Sequence, residues 1–74
     1  MTFQSHQQRV VAERNELEEK LKKLTTFRLG PIHASLSHQE RELLAEQAAA
    51  MTLYSSVLAR RILLFLADLA NTTA

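Results

Sequence analysis

The sequence predicts an all-α protein: an antiparallel two-helix hairpin with a longer second helix, assembling into a homo-oligomer. The only glycine and the only proline of the 74 residues stand side by side at Gly30-Pro31. Glycine is the residue type that takes the left-handed position just past a helix end, and a proline beside it keeps the helix from resuming. On both sides of that break, apolar residues return every seven positions, the signature of a helix with one packed stripe. The arms are also unequal, so one helix has more to bury than the other can cover. These observations give a single helical-hairpin domain over residues 1–74, with a helix at about 3–28, a turn at 29–37 and a helix at about 38–70.

The first helix begins near Thr2 or Ser5, where Ser5 and Gln8 have the spacing of a capping box. Phe3, Val10, Leu17 and Leu24 form its apolar line, with Gln7, Arg14, Leu21 and Arg28 on the adjacent seam. The opposite face carries Glu16–Lys20, Glu18–Lys22 and Glu19–Lys23. Each sets a glutamate four residues ahead of a lysine, the favourable order for a helical pair. Lys20, Lys22, Lys23 and Arg28 gather toward the C-terminal end, where cations complement the helix dipole. The plain reading of those lysines is a solvated face.

A short connection makes the helices antiparallel neighbours. Phe27, Leu29, Ile32 and Leu36 are apolar enough to plug that end, and His33 packs or faces solvent with no second ligand at a metal spacing. Ser37 and Glu40 form the capping box that opens the second helix. There, Leu44, Met51, Leu58 and Phe65 make one heptad line, and Leu43, Ala50, Val57 and Leu64 the line beside it. Leu53, Ile62, Leu66 and Leu69 fall outside that pair of lines, so the apolar arc is wider than one partner helix covers. Ala48-Ala49-Ala50 removes bulk where another backbone could approach. At 1.5 Å per residue the helices measure roughly 36 Å and 50 Å, so the apolar turns Ile62 to Leu69 project past the first helix. An overhang of that character marks an interaction surface, here a homo-oligomer built through the second helix. Residues 71–74 are expected to fray.

Composition excludes several classes. There is no cysteine, hence no disulfide or thiolate metal site, which suits a reducing cytoplasm. A net charge of +1 gives no electrostatic footprint for a DNA or RNA polymer or for an anionic membrane. The first twenty residues are polar, unlike a signal peptide, and the longest apolar run, Ile62 to Ala67, is short for a membrane span. No nucleophile elbow, glycine-rich phosphate loop, carboxylate pair in an apolar setting or metal cluster occurs, so neither enzyme nor cofactor is expected. The second helix is more informative. Between Glu46 and Asp68 there is no acid, yet Arg60 and Arg61 stand there among apolar residues. Arg61 shares a polar line with Gln47, Tyr54 and Asp68. Either Arg61 crosses the hairpin to Glu13 or Glu16, or the arginines grip phosphate at a subunit interface, with Tyr54 stacking on a base.

The segments Phe3-Gln4-Ser5-His6-Gln7-Gln8-Arg9-Val10-Val11 and Glu16-Leu17-Glu18-Glu19-Lys20-Leu21-Lys22-Lys23-Leu24 resemble the start of a family of small phage-encoded helical-hairpin proteins. Gly30-Pro31-Ile32, Glu42-Leu43-Leu44 and the stretch Met51-Thr52-Leu53-Tyr54-Ser55-Ser56-Val57-Leu58-Ala59-Arg60-Arg61-Ile62 extend the likeness, which runs from residue 3 to about 66. The hairpin domain is the one shared by the anti-CBASS and Thoeris anti-defence sponges. The resemblance implies an oligomer, commonly a hexamer, in the cytoplasm of an infected bacterial cell. It implies sequestration of cyclic di- or trinucleotides, or cyclic ADP-ribose isomers, without cleavage, so that immune effectors stay off. Family pockets use arginine, lysine, threonine and aromatic residues around the end of the first helix and along the second. The matching types are Lys23, Thr25, Thr26, Arg28, Tyr54, Arg60 and Arg61, with Phe3 and Arg9 near the amino end. The competing function is a helical protein-interaction module acting through the apolar end of the second helix.

Overall fold

The computed structural model describes residues 3–72, a rod 56 × 16 × 14 Å in extent. Three helices follow one another: α1 (Ser5–Arg28), α2 (Pro31–Ser35) and α3 (His38–Thr72). Phe3 meets Phe65 and Glu18 meets Ser55, so α1 and α3 run antiparallel as the two arms of the hairpin. The five-residue α2 is a single helical turn inside the predicted connection.

Capping side chains set the helix ends. At the start of α1 the Gln4 amide donates to Gln7 Oε1 at 2.8 Å, and Gln8 Nε2 donates to the Phe3 carbonyl at 2.8 Å. The capping box is therefore Gln4–Gln7, one residue earlier than the predicted Ser5–Gln8; the alternative start at Thr2 lies outside the described residues. At the start of α3 the Glu40 amide donates to Ser37 Oγ at 3.1 Å, as the sequence predicts.

The turn works differently from expectation. Gly30 lies at φ −93°, ψ 170°, an extended conformation open to any residue, and no described residue has a positive φ. No left-handed cap forms. Instead α1 tightens at its end, the Leu29 and Gly30 amides donating to the Thr26 and Phe27 carbonyls at 3.2 and 3.0 Å. Pro31 then opens α2, where its missing N–H costs nothing because first-turn amides have no helical partner.

The seam between the arms has the predicted face of α1 and half the predicted face of α3. Val10 and Leu17 are buried, and Phe3, Leu24, Gln7, Arg14, Leu21 and Arg28 are half-buried beside them. From α3, the line Leu44, Met51, Leu58, Phe65 faces α1, and Leu58 is the most enclosed residue of the chain at 1% exposure. Its companion line is Ala48, Ser55, Ile62 and Leu69, whereas Leu43, Ala50, Val57 and Leu64 are exposed. The reason is angular: residues four apart differ by about 40° around a helix and adjacent ones by about 100°. Leu53 and Leu66 are exposed as well, as are Gln47, Tyr54, Arg61 and Asp68. Of the three alanines, only Ala48 sits in the seam.

The overhang is real but short. Because Phe3 meets Phe65, only Leu66 to Thr72 passes the start of α1, about 10 Å of helix. Ile62 to Phe65 lie alongside α1 rather than beyond it. Asn71 and Thr72, expected to fray, are helical; Thr73 and Ala74 lie outside the described residues. By length and composition alone α3 is apolar enough to cross a membrane, with a mean hydropathy of 1.4 over its best window. The unbroken-run criterion missed this because Thr and Ser interrupt the run at little cost to the average, and the surrounding leucines outweigh the two arginines. Any span drawn on the apolar half includes Arg60 and Arg61, each costing about 2.5–3.5 kcal/mol at a bilayer centre.

Gly30→Ala tests the turn. A Cβ there meets only the Phe27 carbonyl oxygen at 3.4 Å, an ordinary contact. Chemical denaturation should show the variant unchanged or stabilised by about 0.4–1 kcal/mol through loss of unfolded-state freedom. A clear destabilisation would restore a left-handed role for Gly30.

Candidate functional site

The residues singled out by sequence fall into three groups along the rod. Lys23, Thr25, Thr26 and Arg28 occupy the last turns of α1, beside the connection. Tyr54, Arg60 and Arg61 lie on the outer face of α3, and Phe3 and Arg9 are at the open end. Thr26 and Phe3 stand about 35 Å apart along the hairpin. No single protomer gathers all nine.

At the α1 end the chemistry is mixed. Shallow depressions there are lined by Glu18, Glu19, Leu21, Lys22, Thr25 and Thr26, and by Glu19, Lys22, Lys23 and Thr26. Thr25 and Thr26 donate their hydroxyl protons to the Leu21 and Lys22 carbonyls at 2.9 and 3.1 Å. What remains on each hydroxyl is an acceptor, the wrong polarity for a phosphate oxygen until it rotates. Glu19 adds a like charge against any anion. Arg28 is half-buried, its Nε enclosed and without a hydrogen-bond partner among the described residues, and the same holds for His33 Nε2. His33 packs edge-on against Phe27 with ring centroids 6.1 Å apart, as expected of a packing rather than ligating histidine. Among the described residues no group of histidines and acids forms a metal cluster.

The outer face of α3 is different. Arg60 and Arg61 are exposed, and neither makes an ion pair among the described residues; the predicted crossing of Arg61 to Glu13 or Glu16 does not form. Tyr54 is exposed two turns before Arg61, about 10 Å away on the same heptad line. At the open end the Phe3 and His6 rings pack edge-on against Phe65, at 6.1 and 6.4 Å, so Phe3 serves the seam. Arg9 is exposed one residue before buried Val10.

Sequence reasoning missed a polar cluster inside the seam. Ser55, only 4% exposed, donates to Glu18 Oε1 at 2.6 Å, and Arg14 Nη2 donates to the same oxygen at 3.3 Å. Glu18 thus turns toward Arg14 and α3 instead of Lys22. The Glu16–Lys20, Glu18–Lys22 and Glu19–Lys23 pairs are not formed among the described residues. The signal was Ser55 itself, four residues after Met51 and three before Leu58.

Only after this geometry does kinship add something. A family model described as Sequestin matches residues 4–64. The chain belongs to the Sequestin family. The match takes in all of α1 and α2 and α3 as far as Leu64, so eight of the nine residues lie within it and Phe3 just outside. The family's name points to sequestration of a ligand, a binding role rather than a catalytic one. Comparison with curated proteins and with solved structures gives no match.

Ser55→Ala should lower stability by about 1–3 kcal/mol, because the Glu18 carboxylate then loses its donor across the seam. Glu18→Ala should remove most of that penalty in the double variant, measured as a coupling by denaturation. Additive losses would mean that the 2.6 Å contact contributes no energy of its own.

Proposed function

We propose that this Sequestin-family chain is a phage anti-defence sponge. It sequesters cyclic di- or trinucleotide immune messengers, or cyclic ADP-ribose isomers, in the cytoplasm of an infected bacterium without cleaving them. Effectors that need the messenger then remain off, as with the anti-CBASS and anti-Thoeris proteins the sequence resembles. A homo-oligomer, with a hexamer as the family-like form, brings together residues that one hairpin holds apart. The observation that carries this reading is the outer face of α3: Arg60 and Arg61 exposed without an acidic partner among the described residues, and Tyr54 exposed two turns before Arg61. Exposed guanidinium groups on an apolar face are suited to bidentate phosphate binding, and a tyrosine ring to stacking on a base. Lys23, Thr25, Thr26 and Arg28 supply a second set of phosphate and sugar contacts from the end of another hairpin, and Arg9 a cation near the open end. Phe3 is the weakest member of the set because Phe65 already occupies it.

The exposed leucines of α3 also favour a second reading, a helical module that docks on another protein. Calorimetry against a panel of cyclic di- and trinucleotides and cyclic ADP-ribose isomers separates the two. The sponge reading expects saturable binding and recovery of the intact messenger after denaturation. It also expects about tenfold or greater weakening on Arg61→Ala, the loss of one charge-assisted contact. Absence of binding across the panel contradicts the sponge and leaves the docking module.

A further inference from the structure

Two depressions on the flank of the hairpin run into one another. The one at the end of α1, about 510 Å³, is lined by Glu18, Leu21, Lys22, Thr25 and Thr26 among others. The other, about 390 Å³, opens where Arg14, Glu18 and Leu21 of α1 meet Thr52, Ser55 and Ser56 of α3. They share Glu18 and Leu21, so the two form one trough with Glu18 near its middle. The sequence builds it: Arg14, Glu18, Leu21 and Thr25 follow at intervals of four, three and four, and so stand on one flank of α1.

Glu18 is held in place there. Buried Ser55 donates to its Oε1 at 2.6 Å and Arg14 Nη2 donates to the same oxygen at 3.3 Å, while no described residue donates to Oε2. The side chain still keeps 44% of its surface in solvent. A carboxylate offers about four lone-pair sites, so Oε2 remains an acceptor for further donors. A free glutamate on a helix face gives up rotamer freedom when it binds a ligand; Glu18 has given it up already.

The charges along the trough decide which part of a nucleotide lies where. Lys22 and Lys23 stand toward the end of α1, so phosphate is drawn there and held off by Glu18. Glu18 and Thr25 are seven residues apart, about 10 Å along the helix, which is the span from a nucleotide's phosphate to the far edge of its base. What an ionised carboxylate accepts is an N–H or O–H donor. Guanine carries two such donors side by side, N1–H and N2–H. Adenine sets its single N–H edge beside the N1 lone pair, which the carboxylate repels.

We infer that Glu18 is a specificity-determining residue of this trough: its Oε2 takes the N1–H and N2–H of a guanine base, so the messenger held here is a guanine-containing cyclic nucleotide. The inference rests on the proposed sponge and names the base that it reads. Ser55 and Arg14 are positioning residues, which aim the carboxylate without touching the base.

Calorimetry on the full chain with cyclic di-GMP and cyclic di-AMP reads this selectivity as a ratio of two Kd values. The unmodified chain should bind cyclic di-GMP about tenfold more tightly or better, the effect of one charge-assisted contact. Cyclic di-IMP, which lacks the N2 amine, should fall between the two. Glu18→Gln keeps a carbonyl oxygen for Ser55 and Arg14 and puts an N–H donor in place of Oε2. Its preference for guanine should therefore drop about tenfold, with the melting temperature little changed. A merely structural role for Glu18 would weaken both ligands alike, so an unchanged ratio in Glu18→Gln overturns the inference and leaves the sponge. A preference of the unmodified chain for cyclic di-AMP, or binding confined to cyclic ADP-ribose isomers, does the same, and these two readings stand even if the variant fails to fold. Absence of binding across the whole panel refutes the sponge and this inference together.

Discussion

A helix of 35 residues has surface all round, and a single 24-residue partner can cover only one side of it. That constraint governs the molecule. The hairpin seam takes Leu44, Met51, Leu58 and Phe65 with Ala48, Ser55, Ile62 and Leu69, and leaves Leu43, Leu53, Val57, Leu63, Leu64 and Leu66 in solvent. Few residues of the isolated chain are buried, and such a small domain normally needs a staple or an association to be stable. The chain has no cysteine, and no metal cluster occurs among the described residues; the proposed self-association is the stabilising contact that the proposed function supplies.

Within the seam, polar groups set the alignment of the arms. A purely apolar stripe with a heptad repeat tolerates slippage by whole heptads, since every seventh residue offers a similar surface. Ser55 and Glu18 break that degeneracy. Their 2.6 Å contact forms in one register only, and Arg14 holds the carboxylate in place from the same helix. Register in turn fixes where the Tyr54–Arg61 face stands relative to the α1 end. The proposed binding residues, spread over about 35 Å, act on one small ligand only if several hairpins are placed accurately.

Helices, their boundaries within a few residues and the α1 stripe were legible because period, caps and the Gly30-Pro31 break all agree. The conformation of Gly30 was not. Glycine permits a left-handed cap without requiring one, and the following proline favours an extended residue before it, which is what forms. The companion line on α3 was misread for a related reason. Both Leu43/Ala50/Val57/Leu64 and Ala48/Ser55/Ile62/Leu69 flank the Leu58 line, and the first is the more hydrophobic. Hydrophobicity favours the first; angular spacing selects the second and leaves the first line exposed. Charge pairs were legible only as possibilities, because Glu18 has Arg14, Lys22 and, through space, Ser55 within reach, and the last is visible only once the arms are packed.

Arg60 and Arg61 are the point at which packing and function meet. An exposed apolar helix face is ordinary in a subunit and unusual in a monomer, and two cations on it that have no ion-pair partner among the described residues are compatible with assembly only if something anionic answers them. In the proposed function that answer is a phosphate of the bound messenger. Native mass spectrometry over a dilution series, with and without cyclic nucleotides, tests the central claim most directly. The account predicts an assembly of several chains at micromolar concentration, gaining whole messenger molecules when they are supplied. A monomer as the sole species under the same conditions would contradict it.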